Sequence, residues 1–568
     1  MKLKATQAYD HYYNYQEITA LLQGYAKDYP DLIRLSSLNT TKEGREIWLA
    51  ELTNTKTGDF GEKPAYFLNG HVHAGEVTGS MCAMYFIDHM LTNYKTDASL
   101  QQLLDSTTFY IIPRVSPDGA EYYLTHPDTL RSLNEFFPFD EPQPGLQPAD
   151  LDGDGVIRNM LVPSPYGVWK KAADDPRMVV KRRPDEMEGV FYNIYNEGMI
   201  DDYDGFSITP APANFGLDLN RNFPVGWETN NKQAGAGHYA LDRLESRTLA
   251  EFLVAHKNIC NTINFHTFSG LYLYPPGMMP SKQADPDDMK RYRIINKMVV
   301  EETGFAPMNI KDDFLGESSS MRTFGSFDDF LHFGRGIYSY TIETWDLGVR
   351  SGMGLPYPDP FKQSDEEFEQ SARKLLNWME ENDLMGYHKG WTPFEHPQLG
   401  PVEIGGVDPK YLVQNPPVQF LPEEVEKHTR FILRHAHTMP HVALRKVELR
   451  PLGGDLYKVE AYVCNTGFMP THVLNEALTL KLVPDIAVEL SGEGVTIEEG
   501  RCVQEIGQLE GFSGIDSNYF FFGINTNPHK PVEKKVSWVV KAPVGAELTV
   551  TVCSQRAGSA KAQLRVEN

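Results

Sequence analysis

Three strand-like segments in the first part of the chain lead to side chains that can bind a metal ion. The first segment, 65–68, is followed by His73. The segment 262–266 ends with His266, and the segment 337–343 ends with Glu343. Short apolar runs bounded by turn residues are typical of buried strands. Because open sheets carry their ligand sites at the carboxyl ends of strands, we expect these side chains to meet at one edge of a sheet.

The same part of the chain alternates between helical and strand-like hydrophobic periods. Residues 14–29 and 77–93 have the spacing of helices, whereas 47–52 and 107–112 have the composition of strands. This alternation predicts an α/β fold with a mixed sheet and helices on both faces. Ser364-Asp-Glu-Glu367 is a capping box that opens a helix, and we expect that helix to close a first domain, residues 1–386.

The rest of the chain has a different character. Residues 130–212 are rich in Pro, Asp, Gly and Tyr and are interpreted as a long insertion of loops and short elements. Residues 387–440 are interpreted as a Pro/Gly-rich linker with a helix around 422–435. Residues 441–568 predict an accessory β-sandwich of immunoglobulin-like type. Its predicted strands include 456–463, 478–482, 535–540 and 547–552.

The bulk composition excludes some classes of partner. A formal net charge of -24 makes nucleic acid an unexpected partner, because such a surface repels phosphates. An apolar run of 18 residues is absent from the sequence, so a membrane span is not predicted. The N-terminus lacks the apolar segment of a signal peptide, which favours a cytoplasmic location, or secretion if a leader was trimmed. The oligomeric state is left open.

His73, Glu76 and His266 together have the composition of an open catalytic zinc site. Three protein ligands leave a fourth coordination position for water. A separate glutamate, here Glu343, can then act as general base on that water. A His-x-x-Glu pair alone occurs by chance in many proteins, so the weight of the interpretation comes from the additional residues.

A second polar cluster supplies anion-binding groups. Asn220 and Arg221 lie in Asp218-Leu-Asn-Arg-Asn-Phe223 and form a donor pair that suits a carboxylate. Arg131 adds a further cation. Arginines near a hydrolytic zinc either hold a substrate carboxylate or stabilise the oxyanion of a tetrahedral intermediate.

These motifs, in this order, resemble the zinc metallocarboxypeptidases of the carboxypeptidase A/B (funnelin) family over roughly residues 8–385. The resemblance implies the family's eight-stranded type of mixed sheet and one zinc ion. It also implies a role for each matched residue. These are the zinc ligands His73, Glu76 and His266, the zinc-histidine partner Asp218, the carboxylate-binding Asn220 and Arg221, the oxyanion-stabilising Arg131 and the general base Glu343.

The implied activity is hydrolysis of the C-terminal residue from a peptide substrate with a free C-terminal carboxylate. Two other functions stay open. The same fold could cleave a non-standard amide, such as a cell-wall γ-glutamyl bond or an isopeptide, or it could be a catalytically inactive peptide-binding module. His71, which forms a His-x-His pair with His73, also suggests amidohydrolases, but the sequence shows no (β/α)₈ repetition.

Two departures from the family concern specificity. The family tyrosine before the Gly-Ser pair is absent, because Gly325-Ser326 follows Ser318-Ser-Ser-Met-Arg-Thr-Phe324. The pocket-floor position falls on Phe327, which predicts an apolar or shape-restricted pocket. A shift of one residue would place Asp328 there and favour a terminal Lys or Arg.

Asp150, Asp152 and Asp154 in the insertion resemble the first half of an EF-hand or dockerin calcium loop. Oxygen ligands at the first, third and fifth positions suit Ca²⁺. The twelfth position is Leu161, which cannot bind the ion, so a remote carboxylate would have to complete the site. The alternative is an Asp/Gly-rich turn without a metal.

Overall fold

The computed structural model describes residues 3–316, 322–354, 363–520, 523–528 and 531–567. The helices are α1 Tyr15–Asp28, α2 Thr78–Asn93, α3 Ala98–Ser106, α4 Pro117–Thr125, α5 Leu244–Ala255, α6 Pro286–Thr303, α7 Phe327–Asp329, α8 Leu347–Arg350, α9 Asp365–Glu381, α10 Leu421–Ala436 and α11 Asn475–Thr479.

The strands up to residue 344 are β1 Ile33–Thr40, β2 Glu46–Leu52, β3 Ala65–Gly70, β4 Thr108–Ile112, β5 Gly145–Pro148, β6 Asn159–Pro163, β7 Trp169–Lys171, β8 Val179–Lys181, β9 Tyr192–Asn196, β10 Gly198–Asp201, β11 Ile259–Thr267, β12 Leu271–Tyr274, β13 Ala306–Asn309 and β14 Tyr338–Thr344. The later strands are β15 His388–His396, β16 Gly400–Val407, β17 Val442–Gly453, β18 Leu456–Asn465, β19 Ala487–Gly492, β20 Thr496–Glu499, β21 Val503–Glu505, β22 Ile515–Phe520, β23 Gly523–Pro528, β24 Glu533–Lys541, β25 Glu547–Ser554 and β26 Gly558–Arg565.

A mixed eight-stranded sheet forms the centre of the first part of the chain, in the order β1-β2-β4-β3-β11-β14-β12-β13. The four central strands β4, β3, β11 and β14 are parallel to one another. Strands buried on both faces read as continuous apolar runs, and β3, β4 and β11 are buried along their whole length. The predicted α/β fold is therefore confirmed.

Hydrophobic clusters cover both faces of this sheet, as the helix pattern predicts. One cluster combines residues of α1, α2, α6 and α10, and the other combines residues of α5, α7 and the turn after it. The predicted helices at 14–29 and 77–93 are α1 and α2. The predicted capping box is formed, because Ser364 Oγ accepts from the backbone N–H of Glu367 while the Glu367 carboxylate accepts from that of Ser364.

Two glycines let α2 begin directly against the sheet. A Cβ atom on Gly70, at the end of β3, would lie 2.9 Å from the carbonyl carbon of Gly79, and one on Gly79 would lie 2.9 Å from Cβ of Phe265. Real Cβ atoms do not approach so closely, so side chains here would push α2 away from β11. The close approach positions the turn that carries His73 and Glu76.

Residues 130–212 and 387–407 build a second sheet together. It has six strands in the order β15-β16-β6-β9-β7-β8. The insertion was predicted as loops and short elements, and its strands are short, but the partner strands β15 and β16 lie in the stretch interpreted as a linker. Gly and Pro interrupt the periodicity of 388–407 and concealed both strands. The strand β16 pairs with β6, more than 200 residues away in the sequence, and β15 pairs with β16.

The C-terminal part is a β-sandwich, as predicted. Antiparallel sheets β17-β18-β24-β20 and β21-β19-β25-β26 enclose a hydrophobic cluster that contains Trp538 and Tyr457. The strand predicted at 478–482 is wrong, because Asn475–Thr479 forms the short helix α11. Asp288 of α6 accepts from the backbone N–H of Asn475 and fixes the start of that helix, a tertiary contact that the local apolar spacing does not reveal.

The helix predicted around 422–435 is α10, and it packs into the same hydrophobic cluster as α2 and α6. Phe468, Met469, Val473 and Leu474, from the C-terminal part, extend that cluster. The division into domains stays a prediction, but α10 is continuous with the core beneath the first sheet. Within the described ranges, every helix is too short or too polar to cross a lipid bilayer.

Candidate active site

The structure brings His73, Glu76 and His266 together at the carboxyl ends of β3 and β11. The Nδ1 atoms of the two histidines are 2.9 Å apart. Glu76 Oε1 lies 3.0 Å from Nδ1 of His73, and Oε2 lies 2.8 Å from Nδ1 of His266. The Oε2 atom is buried without a hydrogen bond, although it is this close to a ring nitrogen. Two imidazole nitrogens and a carboxylate that converge in a buried centre are ligands that suit zinc, so the donor set fits that ion.

The opposite sides of the two imidazoles are held by neighbouring side chains. Nε2 of His73 lies 2.9 Å from Oδ1 of Asp218, so the proton sits on Nε2 and the lone pair of Nδ1 faces the centre. Nε2 of His266 lies 2.6 Å from the amide nitrogen of Asn264. The Asn264 Oδ1 accepts from Nδ2 of Asn69 at 2.7 Å, and Oδ1 of Asn69 is buried without a hydrogen bond. A half-turn of both amides would satisfy that oxygen, place the oxygen of Asn264 against the Nε2–H and give His266 the same tautomer.

Asn264 is a site residue that the sequence argument missed. It is fully buried and two residues before His266 on β11, so the two side chains share one face of the sheet. That period-two spacing is a usable signal once β11 is recognised as a strand.

The charges in this buried centre shift one another's pKa values. Burial would raise the pKa of Glu76, but the neighbouring His73 and His266 outweigh burial and lower it. Burial would likewise raise the pKa of Asp218, and Arg131 and His73 reverse that effect. Both carboxylates are therefore held in the charged form that a cation needs.

Glu343 lies beside the three ligands. It pairs directly with His266 across β11 and β14, so both side chains project from the same face of the sheet. Burial, followed by the nearby Glu76 carboxylate, raises the pKa of Glu343 to about 8. Buried carboxylates with a raised pKa are common at functional sites.

Arg131 connects two of these groups. Its Nε donates to Oδ2 of Asp218 at 3.0 Å, and its Nη1 donates to Oε1 of Glu76 at 3.4 Å. The guanidinium keeps 42% of its side-chain surface exposed, so it can also face a ligand. This placement agrees with a role at a developing negative charge.

Asn220 and Arg221 lie on the short 3₁₀ turn Leu219–Arg221, which follows Asp218. Oδ1 of Asn220 accepts from the backbone N–H of Phe327 at 2.8 Å, which leaves the amide NH₂ as the donating end. Arg221 is half-buried, and its Nη1 donates to the Asn220 carbonyl at 2.7 Å. One polar turn therefore carries both donors expected for a carboxylate.

The Phe327 side chain does not have the surroundings of a pocket floor. Its ring is fully buried in the hydrophobic cluster that covers one face of the sheet, 4.9 Å from the ring of Phe223. A phenyl ring surrounded by core side chains has no surface to offer a substrate. The segment that lacks the family tyrosine falls partly on residues 317–321, outside the described residues.

Asp328, the neighbour of Phe327, is aimed toward the site. Its carboxylate accepts from Oγ of Ser339 at 2.5 Å and from Oγ1 of Thr341 at 2.7 Å, both on the strand that carries Glu343. Burial raises the pKa of Asp328, while His266 and Arg221 are near enough to oppose that effect. Among the described residues, Asp328 forms no ion pair within salt-bridge distance.

The acidic loop of the insertion gains a remote carboxylate from the fold. Glu197, which is fully buried, lies with Asp150 and Asp152 in a group whose oxygens are within 4.8 Å of one another. Asp154, which was expected as a third ligand, is not part of that group, and its Oδ2 accepts from Nζ of Lys389 at 2.8 Å. The same Nζ lies 2.6 Å from Oδ2 of Asp152, so a lysine already neutralises part of the cluster.

The sequence model of the zinc carboxypeptidase family (Peptidase_M14) matches residues 18–378, which is more than half of the chain and includes every residue of the site. The protein therefore belongs to the zinc carboxypeptidase family of peptidases. Residues 441–565 match a separate family model, DUF8731, for a domain of unknown function.

Similar proteins include carboxypeptidase B of Astacus astacus, 23% identical over 63% of this chain and 94% of its own length. A zinc carboxypeptidase of Saccharothrix mutabilis subsp. capreolus is 36% identical over 115 residues. The matched part is 20% of this chain and only 26% of the relative's length. Among solved structures, carboxypeptidase A from Helicoverpa armigera matches 65% of this chain and 74% of its own chain, with 18% identity and a TM-score of 0.37.

Proposed function

We propose that this protein is a zinc-dependent metallocarboxypeptidase that hydrolyses the C-terminal residue of peptides. The observation that carries the proposal is the convergence of His73 Nδ1, Glu76 and His266 Nδ1 at the strand ends, with Glu343 directly beside them. An inactive binding module would not need a base next to a complete ligand set.

His73, Glu76 and His266 would hold the zinc ion. Zinc, when bound, supplies a Lewis acid that polarises oxygen and lowers the pKa of water. Asp218 holds the His73 ring in the tautomer that exposes Nδ1, and Asn264 can do the same for His266. These outer contacts orient the ligands before the ion binds.

Glu343 would act as the general base. Its carboxylate takes a proton from the attacking water and returns a proton to the amine that leaves. Burial raises its pKa to about 8 in the protein alone, and a cation at the neighbouring ligands lowers it again, so that the charged form is present near neutral pH.

Arg131, Asn220 and Arg221 would place the substrate. The amide of Asn220 and the guanidinium of Arg221 donate to the terminal carboxylate, and a charged, two-donor contact favours a free acid over an amide. Arg131, held by Asp218, stabilises the negative charge that develops on the carbonyl oxygen. An exopeptidase requires this division between anchoring and catalysis.

Asp328 would select a terminal lysine or arginine. The buried Asp328 carboxylate accepts two hydroxyl hydrogen bonds, and burial without an ion-pair partner in the described part of the chain disfavours its charged form. A cationic substrate side chain would supply the missing partner. The ring of the neighbouring Phe327 belongs to the core. This supports Asp328, rather than Phe327, as the residue at the floor of the specificity pocket.

The experiment that tests the proposal is hydrolysis of N-blocked dipeptides that differ in the last residue, with and without a chelator. We expect one equivalent of zinc per chain, activity that the chelator removes and zinc restores, and preference for a terminal Lys or Arg. Protein that is folded and zinc-loaded but inactive on every free-acid peptide would contradict the proposed reaction, and γ-glutamyl and isopeptide substrates would then be assayed.

A calcium ion in the insertion is a separate proposal. Asp150, Asp152 and Glu197 would supply oxygen ligands. Burial, followed by the neighbouring Asp152 and Asp150 carboxylates, raises the pKa of Glu197 to about 7, and a cation in this group would lower that pKa. Calcium would have to displace Nζ of Lys389 from Asp152. A rise of Tm with added Ca²⁺ that is lost in Glu197→Gln would support the site, and an unchanged Tm would contradict it.

A further inference from the structure

Residues 408–416 lie beyond the matched family region and touch three segments that carry the site. This stretch, called here the clasp, consists of the π-helical turn Pro409–Gln414 with the residues on either side of it. We propose that Asn415 of the clasp is a positioning residue, which holds the turn between His73 and Glu76 in the geometry that binds the metal. The inference rests on the proposed zinc-dependent function.

Asn415 is fully buried and uses both ends of its side-chain amide. Its Nδ2 donates to the carbonyl of Gly75 at 2.8 Å. Its Oδ1 accepts from Oγ1 of Thr78 at 3.0 Å and from the backbone N–H of Thr78 at 3.2 Å. The Asn415 side chain therefore fixes the backbone on both sides of Glu76.

Backbone hydrogen bonds also hold this turn. Within it, the backbone N–H of Glu76 donates to the carbonyl of His73 at 3.2 Å, and the N–H of Ala74 donates to the carbonyl of Arg131 at 3.0 Å. The contact with Arg131 fixes one side of the turn, and Asn415 fixes the other. Because a metal site tolerates only small displacements of its ligands, the loss of either contact affects the metal directly.

Lys410 ties the clasp to the segment that leads to Arg131. It is 4% exposed, and its Nζ donates to the carbonyls of Tyr123, His126 and Asp128. The ammonium also lies 4.0 Å from the centre of the Tyr123 ring. These acceptors are backbone groups near the end of α4, so the lysine fixes the path of the chain ahead of Arg131.

Trp345 makes the third connection. It follows Glu343 by two residues, and its Nε1 donates to the carbonyl of Leu412 at 2.8 Å. The ring is fully buried. The clasp thus contacts the ligand turn, the arginine segment and the end of the strand that carries the base, although it comes from a part of the chain that the family match does not include.

The test compares Asn415→Ala and Asn415→Asp with Asn465→Ala in the full chain. Aspartate keeps the size of Asn415 and its acceptor for Thr78 but places a carboxylate oxygen against the Gly75 carbonyl. Asn465 is a matched control, since it is 7% exposed and also bonds through both ends of its amide, to Met469 O and Gly467 N among others. Zinc affinity is measured by competition with a chromogenic chelator, alongside Tm, kcat and KM.

We expect both Asn415 variants to bind zinc about tenfold more weakly and to lose kcat more than KM, because ligand orientation is impaired. Asn465→Ala is expected to lower Tm while leaving zinc affinity and kcat unchanged. If the alanine variant does not fold, the isosteric aspartate variant provides the measurement.

Zinc affinity and kcat in folded Asn415 variants equal to those of Asn465→Ala would overturn the inference while leaving the proposed function intact. Wild-type protein that binds no zinc would overturn the proposed function itself, and the inference with it.

Discussion

His266 and Glu343 are direct partners on the adjacent parallel strands β11 and β14. Their pairing sets a ligand and a base side by side on the same face of the sheet, at strand ends where the backbone is already held by hydrogen bonds. A slip of one residue between these strands would turn one of the two side chains to the opposite face. The register of the central sheet is therefore a condition of the chemistry.

Replacing the base should separate metal binding from turnover. We expect Glu343→Gln to keep its zinc but to lower kcat by about 10²–10⁴-fold, because an amide cannot accept the proton of the attacking water. Zinc content and steady-state kinetics measure the two effects. The exposed Glu251→Gln on α5 serves as the control, and a kcat of Glu343→Gln close to wild type would mean that another group is the base.

Asp328→Asn should change selectivity. Loss of a buried charged contact costs about 2–3 kcal/mol, so we expect kcat/KM for peptides ending in Lys or Arg to fall by about 30–150-fold relative to those ending in Leu. Asp329→Asn is the matched control, because the Asp329 carboxylate accepts from the backbone N–H groups of Gly277 and Met278. Equal loss of activity on all peptides would refute the role of Asp328.

Arg221→Ala should weaken recognition of the free acid. Only a carboxylate gains from the charged hydrogen bonds of the guanidinium, so we expect KM to rise about tenfold or more for free-acid peptides and to change little for their amidated forms. Arg247→Ala, an exposed arginine that donates to the carbonyl of Leu241, is the control. A similar change with both kinds of peptide would argue against an exopeptidase anchor.

Glu245 should make stability depend on pH. It is 7% exposed on α5, and burial together with Glu135 and Asp118 raises its pKa to about 7, against about 4.3 in the unfolded chain. The folded state holds this proton more tightly, so the contribution of Glu245 to stability is greatest at low pH and is lost as the pH rises between about 4 and about 7.

The variant Glu245→Gln cannot titrate at this position, so it lacks the decrease in stability that ionisation of Glu245 causes. We expect the free energy of unfolding of the variant, relative to that of wild type, to increase by about 3 kcal/mol when the pH is raised from about 5 to about 8. Urea unfolding at the two pH values measures the difference, with Glu251→Gln on the same helix as control. A difference between variant and wild type that does not change with pH would show that Glu245 does not titrate as described.

Much of the first part of the structure follows from local patterns. The helical spacing around Ile18 and Leu22, the buried run before His73 and the capping box at Ser364 each led to the correct element, because periodicity and capping are properties of a few neighbouring residues. The sequence also predicted that His73, Glu76 and His266 would lie together, and the structure brings their side chains to one place.

Other features depend on residues that are far apart in sequence. The strand β16 pairs with β6 of the insertion, and Asn475 starts a helix because Asp288 accepts its backbone N–H. Neither contact leaves a trace in the local sequence, since each partner looks like an ordinary loop or apolar residue on its own.

The sequence by itself determined the class of chemistry, because two histidines and a glutamate at strand ends leave few alternatives to a zinc site. The tertiary structure decided which neighbours control that site. It placed the ring of Phe327 in the core and the carboxylate of Asp328 near His266, and it brought Asn415 to the turn between the ligands. The physical reason is that hydrogen bonds and burial act between side chains that are close in space, whereas sequence patterns report only on residues that are close along the chain.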